Sequence, residues 1–416
     1  MGSVTRAAGN RADQASLKTR FALLGPAFVA AIAYVDPGNV AANVSAGAQF
    51  GFLLVWVIVL ANVMAGLVQF LSAKLGLVTG RTLPEAVADN TRRPSRIAFW
   101  LQAELVAIAT DLAEVVGGAI ALYLLFDLPL LLGGIITGAV SLVLLLVQDR
   151  QGQRMFERVI TGLLLVIAIG FITSLLVGPP TVSQVATGLI PRFDGAESLL
   201  LATAMLGATV MPHAVYLHSG LARDRHGHPA AGIPRQRLLR ITKWDVALAM
   251  LVAGAVNLSM LLVAATNLQG RENTDSIEGA YAAVQDSLGP TIALFFAVGL
   301  LASGLASTSV GAYAGAMIMQ GLLKVSVPII VRRVVTLIPA LVILGVGFDP
   351  SRALVLSQVV LSFGIPFALI PLIRLTSDRE LMGADVNRRL TTMCGWAVAA
   401  VISVLNVVLI YLTVTG

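Results

Sequence analysis

Long apolar stretches dominate this sequence and limit the folds open to it. A helix needs about 20 mainly apolar residues to cross roughly 30 Å of hydrocarbon. The longest interval between such stretches, residues 222–243, is too short for a soluble domain. The pattern predicts an all-α integral membrane protein with eleven transmembrane helices. The predicted spans cover residues 22–47, 52–76, 97–126, 128–148, 157–178, 197–221, 244–268, 281–323, 326–347, 353–374 and 391–414.

The composition agrees with a membrane protein. Only 12% of the residues are charged, against about 25% in a typical soluble domain. The net charge of +6 does not indicate nucleic-acid binding, because the basic residues lie in short intervals between apolar stretches, where lipid headgroups attract them. Residues 1–20 lack an apolar core and are predicted to form a basic cytoplasmic tail, not a cleaved signal peptide. The single Cys394 excludes an intramolecular disulfide.

The positions of Lys and Arg predict the orientation of the chain. If the N-terminus is cytoplasmic, all but three of the 28 Lys and Arg residues fall on the cytoplasmic side. The three exceptions are Arg192, Arg271 and Arg352. Cytoplasmic loops of membrane proteins carry an excess of Lys and Arg. The sequence therefore predicts a cytoplasmic N-terminus and an extracytoplasmic C-terminus.

Two predicted spans carry helix-breaking residues at their centres. Pro37 and Gly38 follow Asp36 in the first span, and Pro212 lies in the middle of the sixth. Broken helices at corresponding positions in two halves are typical of transporter binding sites. The five-span separation predicts two inverted five-helix repeats, residues 21–178 and 197–375, followed by an eleventh helix at 391–414. The alternative is a pair of simple proline kinks, which the polar residues at both breaks disfavour.

The residues at the two breaks predict a cation site. Asp36 and Asn39 offer two oxygen ligands, and unwinding of the helices frees main-chain carbonyls, such as those of Ala33 and Ala208. Met211 adds a soft thioether beside the second break. Methionine in an apolar helix is usually core filler, but its place opposite Asp36 favours a ligand. Mixed oxygen and sulfur donors favour Mn²⁺, Fe²⁺ and heavier ions over Ca²⁺ and Mg²⁺.

Three acids lie on one face of the third predicted span. Glu104, Asp111 and Glu114 are spaced by seven and three residues, which places them on one side of a helix. Acids within a membrane span are costly and are usually functional. The stripe predicts a hydrated proton path, completed by His213. The alternative is that these acids form buried ion pairs with Arg332 and Arg333, and both interpretations can hold together.

Several motifs together resemble those of one known family. The resemblance covers residues 21–410 and is to the Nramp family of metal transporters, within it the bacterial manganese-importing branch. It implies a leucine-transporter-type fold and uptake of Mn²⁺ or Fe²⁺ driven by the proton gradient, in the bacterial cell membrane. The matching segments are GPAFVAAIAYVDPGN, GRTLPE, QAELVAIATDLAEVVGGA, ATVMPHAVYLHS and LSQVVLSFGIPFAL.

The resemblance also implies roles for individual residues. The implied metal-binding positions are Asp36, Asn39, Met211, Ala33, Ala208 and Gln358. The implied proton pathway consists of Asp36, Glu104, Asp111, Glu114, His213 and Arg333. The expected partners are divalent metal ions, protons and the lipid bilayer, with no nucleic acid and no cofactor, and the protein is expected to work as a monomer.

Three other functions are alternatives to metal import. A sodium-coupled amino-acid transporter of the same fold is disfavoured, because a fixed Asp36 would repel the substrate carboxylate. A membrane enzyme is disfavoured because the sequence contains no HExxH pair, and His218 with Ser219 has no supporting arrangement. A passive channel would be indicated by uptake that ignores the pH gradient.

Overall fold

The computed structural model of the protein describes residues 25–151, 153–227, 234–271 and 276–415. The predicted cytoplasmic tail, residues 1–20, lies outside these ranges. Within them the regular secondary structure is entirely helical. The prediction of an all-helical membrane protein is confirmed, since eight of the described helices are long and apolar enough to cross a membrane.

The helices of the first half begin at a broken segment. Helix α1 (Pro26–Ile32) continues into a 3-10 turn (Ala33–Val35), and α2 starts directly after Asp36. The helices that follow, in chain order, are α2 (Pro37–Phe50), α3 (Val55–Thr79), α4 (Leu83–Asp89), α5 (Arg93–Phe126), α6 (Leu130–Gln151), α7 (Gln153–Val177) and α8 (Val182–Thr187).

The second half begins in the same way. Helix α9 (Gly195–Thr209) ends at the second break, and α10 (Pro212–His226) resumes after Met211. The remaining helices are α11 (Arg235–Asn267), α12 (Ile277–Leu288), α13 (Pro290–Leu323), α14 (Ile329–Gly345), α15 (Pro350–Thr376), α16 (Arg379–Met382), a 3-10 turn (Gly383–Asp385) and α17 (Arg389–Thr415).

The structure corrects one predicted boundary. The eighth predicted span, 281–323, is not one helix, because α12 ends at Leu288 and α13 begins at Pro290. Gly289 between them has a φ of 92°, a conformation that residues with a Cβ rarely adopt. The predicted span is therefore interrupted at Gly289, a helix break that hydropathy alone does not reveal.

Small residues allow the central helices to approach closely. A Cβ added to Gly304 of α13 would lie 3.1 Å from the main-chain oxygen of Glu114 on α5. Gly117 of α5 packs against Pro37 at the first break. The broken α9–α10 segment is the most enclosed of the eight long apolar helices. Of its most apolar stretch 94% is buried, against 33% for α17. Both breaks therefore lie inside the bundle, and α17 lies at its periphery.

Candidate metal site

The first break follows from the Asp36–Pro37 step. A residue before proline is biased towards extended backbone, and Asp36 has φ −69° and ψ 165°. Proline suits the first position of a helix, where its missing N–H costs nothing, and α2 begins at Pro37. The Asp36 Oδ1 atom accepts a hydrogen bond from the Asn39 main-chain N–H at 2.8 Å. The carboxylate therefore caps α2 with one oxygen and keeps the other available.

The second break repeats this local chemistry. Met211 has φ −63° and ψ 123°, and Pro212 opens α10. The preceding Val210 leaves helical geometry with φ −108° and ψ 57°. Met211 is completely buried. Each break is thus an extended residue that carries a ligand-type side chain, directly before a proline.

Buried side chains satisfy two carbonyls freed at the first break. The Tyr34 carbonyl accepts hydrogen bonds from the amides of Asn257, at 2.9 Å, and of Asn39. The Val35 carbonyl accepts one from the Ser303 hydroxyl. Unwound backbone inside a membrane requires such partners. The break is therefore a supported structure and not a simple kink.

Gln358 of α15 connects the two breaks. Its Nε2 atom donates a hydrogen bond to Asp36 Oδ2 at 3.1 Å. Gly38 lies against its side chain and Gly207 against its main-chain oxygen, so neither position leaves room for a Cβ. The Gln358 Oε1 atom is buried and has no hydrogen-bond partner within the described residues. An amide oxygen without a partner next to a carboxylate is a suitable ligand pair for a divalent cation.

The other predicted ligands lie at or beside the two breaks. The Asn39 Oδ1 atom accepts from Asn43 Nδ2 at 2.8 Å and retains a second lone pair. Ala33 and Ala208 are buried at the two breaks, Ala33 in the 3-10 turn and Ala208 one residue before the end of α9. Direct hydrogen bonds thus link Asp36 to both Asn39 and Gln358. Ala208 and Met211 lie on the broken α9–α10 segment, which packs against α15 at Gly207.

The acid stripe on α5 is paired with two arginines of α14. Arg333 Nη1 lies 2.5 Å from Asp111 Oδ1. Arg332 Nη2 donates to both oxygens of Glu104, at 3.0 and 3.1 Å. Glu114 is completely buried. The ion-pair interpretation of Glu104 and Asp111 therefore holds in this conformation.

Helix α5 also touches both breaks. Gly117 packs against Pro37, and the Thr110 hydroxyl lies 3.3 Å from His213 Nδ1, two residues after Met211. The predicted metal-binding and proton-pathway residues are therefore parts of one connected interior, joined by a single helix.

A polar cavity of about 400 Å³ lies between α2, α9 and α15. Ser45, Leu201 and Val355 contribute to its wall. They lie seven residues after Gly38, seven before Ala208 and three before Gln358, so each shares a helix face with a residue of the site. The charged residues of its wall are Glu197, Asp349 and Arg352. Its wall residue Val355 stands about one helical turn before Gln358 on α15.

Several buried polar residues were missed by the sequence analysis. Gln69 of α3 contacts the Tyr34 hydroxyl and lies 2.6 Å from His218 Nδ1. Ser141 of α6 accepts a hydrogen bond from Arg333 Nε at 3.0 Å. Each is a single polar residue in a long apolar run, a pattern too common in membrane helices to identify a site.

His218 and Ser219 do not form a nucleophile–base pair. The Ser219 hydroxyl donates to the Tyr216 carbonyl at 2.6 Å and accepts from the Leu83 N–H at 2.8 Å. His218 instead contacts Gln69. The arrangement expected of a serine hydrolase is therefore not formed by these two residues.

Comparison with known proteins agrees with this geometry. The chain is 72% identical over 401 residues to the divalent metal cation transporter MntH of Mycobacterium tuberculosis strain H37Rv, with 96% of this chain and 94% of the relative covered. The solved manganese transporter of Eremococcus coleocola superposes with a TM-score of 0.85 at 32% identity, over 94% of this chain and 86% of that one.

A more distant structure shares the fold alone. MhsT, solved in complex with L-phenylalanine, superposes with a TM-score of 0.61 at 14% identity, over 93% of this chain and 98% of that one. Residues 27–412 match the family described as natural resistance-associated macrophage protein-like, abbreviated Nramp. The match over residues 27–412 and the 72% identity show that this chain is a member of the Nramp family, a transporter and not an enzyme.

Proposed function

We propose that this protein imports divalent transition metals, Mn²⁺ above all, with Fe²⁺, Co²⁺ and Cd²⁺ as further substrates, by proton-coupled alternating access. The observation that carries the proposal is the buried pair formed by the Asp36 carboxylate at the first break and the amide oxygen of Gln358, which has no hydrogen-bond partner among the described residues. The 72% identity to a divalent metal cation transporter also supports the proposal. That identity also sets aside the amino-acid transporter considered from the sequence.

The proposed architecture has eleven spans. Eight are long apolar helices, and the other three are the broken α1–α2 segment, α6 and α14. Residues 21–178 and 197–375 form inverted repeats, and residues 391–414 add the last span. The N-terminus is cytoplasmic and the C-terminus extracytoplasmic, in a bacterial cell membrane. In this orientation Arg352 and the polar cavity face outward, and Arg332 and Arg333 belong to the cytoplasmic half.

The proposed route begins in the outward cavity. Glu197 and Asp349 attract a hydrated cation into it. Movement of Gln358 then admits the ion to Asp36. There the ion exchanges water for Asp36, Asn39, Met211, the Ala33 and Ala208 carbonyls and Gln358 Oε1. The C-terminal ends of α1 and α9 point at this position, and their negative dipole ends favour a cation.

The cytoplasmic end of α1 is held closed in this conformation. The Asp245 carboxylate accepts hydrogen bonds from the main-chain N–H groups of Gly25 and Ala27, each at 3.1 Å. Release of this contact would let α1 tilt away from the bundle and open the site to the cytoplasm. Proton uptake by Asp36, or transfer to Asp111, would accompany this step.

Metal uptake into proteoliposomes tests the proposal. With an inward proton gradient, the wild-type protein should take up Mn²⁺ faster than without it, and should exclude Ca²⁺ and Mg²⁺. Asp36→Asn should abolish uptake, whereas the matched control Asp286→Asn, on the exposed face of α12, should transport normally. Uptake that is indifferent to the pH gradient would show a channel or an uncoupled carrier. Retained uptake by Asp36→Asn would refute the site.

A further inference from the structure

Arg333 is held by three different helices. Its side chain is completely buried, and Asp111 of α5 lies against its Nη1 atom at 2.5 Å. Its Nε atom donates to the Ser141 hydroxyl of α6 at 3.0 Å, and its Nη2 atom donates to the Thr308 hydroxyl of α13 at 3.4 Å. The guanidinium thus has a separate partner on each of its three nitrogens.

Ser141 can act towards Arg333 only as an acceptor. Its own hydroxyl hydrogen is donated to the Gly138 carbonyl at 2.7 Å. The lone pairs of the oxygen therefore accept from Arg333 Nε. Ser141 is completely buried, so no solvent competes for them. The oxygen therefore fixes one edge of the guanidinium plane.

Helices α6 and α13 contact the Arg333 guanidinium through neutral hydroxyl groups. Residues 290–323, the whole of α13, contain no ionisable Asp, Glu, Lys, Arg or His, and neither do residues 130–144 of α6. The charged and titratable groups near this pair come from other positions: Glu114 of α5 interacts with both Asp111 and Arg333, and His213 of α10 interacts with Asp111. Asp36 at the first break interacts with Glu114, and the neighbouring Arg332 is paired with Glu104. Ser141 and Thr308 hold the guanidinium without altering the charge balance.

A planar guanidinium anchored on two edges presents its third nitrogen in one direction. We propose that Ser141, assisted by Thr308, is a positioning residue for proton movement: it keeps Arg333 directed at Asp111, the carboxylate that receives the proton in the proposed function. This inference rests on the proposed proton coupling. It adds α6, which the sequence presented as a plain apolar span, to the machinery.

The test compares three variants in proteoliposomes. Ser141→Ala removes the acceptor, and Ser141→Thr retains it. Ser174→Ala is the matched control, because Ser174 of α7 is equally buried and donates to the Gly170 carbonyl at 3.0 Å without a charged partner. Each sample is assayed for Mn²⁺ uptake and for Mn²⁺-dependent acidification of the lumen, recorded with a trapped pH dye. The readout is the ratio of protons to Mn²⁺ ions.

Ser141→Ala should lower this ratio at least threefold, and Ser141→Thr should restore it to the Ser174→Ala value. An unchanged ratio in Ser141→Ala would overturn the inference. If Ser141→Ala does not yield folded protein, Thr308→Val takes its place. A lowered proton-to-Mn²⁺ ratio is then expected, and an unchanged ratio would overturn the inference. A wild-type protein that takes up Mn²⁺ without protons would refute the coupling itself, which is a different result from a failure of Ser141 alone.

Discussion

Gln358 and Asp36 are 322 residues apart in sequence and joined by a 3.1 Å hydrogen bond in the interior of the bundle. The bond uses the amide N–H of Gln358 and leaves its amide oxygen without a partner within the described residues. The same glutamine stands about one helical turn after Val355, which lines the polar cavity. One side chain therefore binds the carboxylate and, in the proposed function, supplies a further ligand and the gate on the route from the cavity.

Gln358→Ala should weaken Mn²⁺ transport without unfolding the protein. The variant loses the proposed amide-oxygen ligand, and a loss of about 1.4 kcal/mol of binding free energy corresponds to roughly tenfold in affinity. The half-saturating Mn²⁺ concentration for uptake should rise by that factor. Gln285→Ala, on the exposed face of α12, is the control and should match the wild type. An unaltered half-saturation value in Gln358→Ala would argue against metal contact.

Gly207→Ala should block transport by steric conflict. A Cβ at Gly207 would overlap the main-chain oxygen of Gln358, and backbone cannot move aside as a side-chain end can. Overpacking of this kind costs about 1–3 kcal/mol. Gly162→Ala on α7 is the matched control, since its Cβ would meet nothing within 4 Å and alanine favours a helix by up to about 1 kcal/mol. The thermal unfolding temperature and the rate of Mn²⁺ uptake should both fall for Gly207→Ala. Neither should fall for Gly162→Ala.

The breaks were predictable because their cause is local. Asp36 and Met211 each precede a proline, and the restriction on that residue requires no tertiary information. Long apolar runs likewise determined the helical membrane class. Gly289 escaped detection because hydropathy alone does not distinguish a break between two helices from one continuous helix.

The contacts between distant segments were not predictable from residue patterns. Gln358 was included only through the family resemblance, since a lone glutamine in an apolar helix indicates nothing by itself. The alternative that paired Asp111 with Arg333 was raised, but not the hydroxyls of Ser141 and Thr308 that hold the arginine. Such partners depend on which helices pack together, and this depends on small residues spread along the chain.

Met211→Ala should alter selectivity more than rate. The thioether is the soft member of the proposed ligand set, and Ca²⁺ and Mg²⁺ prefer oxygen ligands. Removing it should reduce the preference for Mn²⁺ over Ca²⁺ by about tenfold, equivalent to 1.4 kcal/mol, while Mn²⁺ uptake is partly retained. Met205→Ala is the control for lost volume, because Met205 is equally buried on α9. If both variants keep the wild-type selectivity in competition assays, the thioether is not a ligand.

Asp245→Ala should favour the conformation open to the cytoplasm. The carboxylate binds the Gly25 and Ala27 N–H groups at the first turn of α1, and each such bond to a charged group contributes about 1.5–3 kcal/mol. A cysteine introduced at the buried Ala30, after replacement of the exposed Cys394 by serine, reports the opening. Its labelling by a membrane-impermeant maleimide from the cytoplasmic side should accelerate about tenfold, because a shift of 1.4 kcal/mol changes the open population by that factor. Asp378→Asn, which alters an exposed cap on α16, should leave the labelling rate unchanged. Equal rates in Asp245→Ala and this control would mean that the contact does not hold α1 closed, and the release of that helix would then have to begin at the breaks themselves.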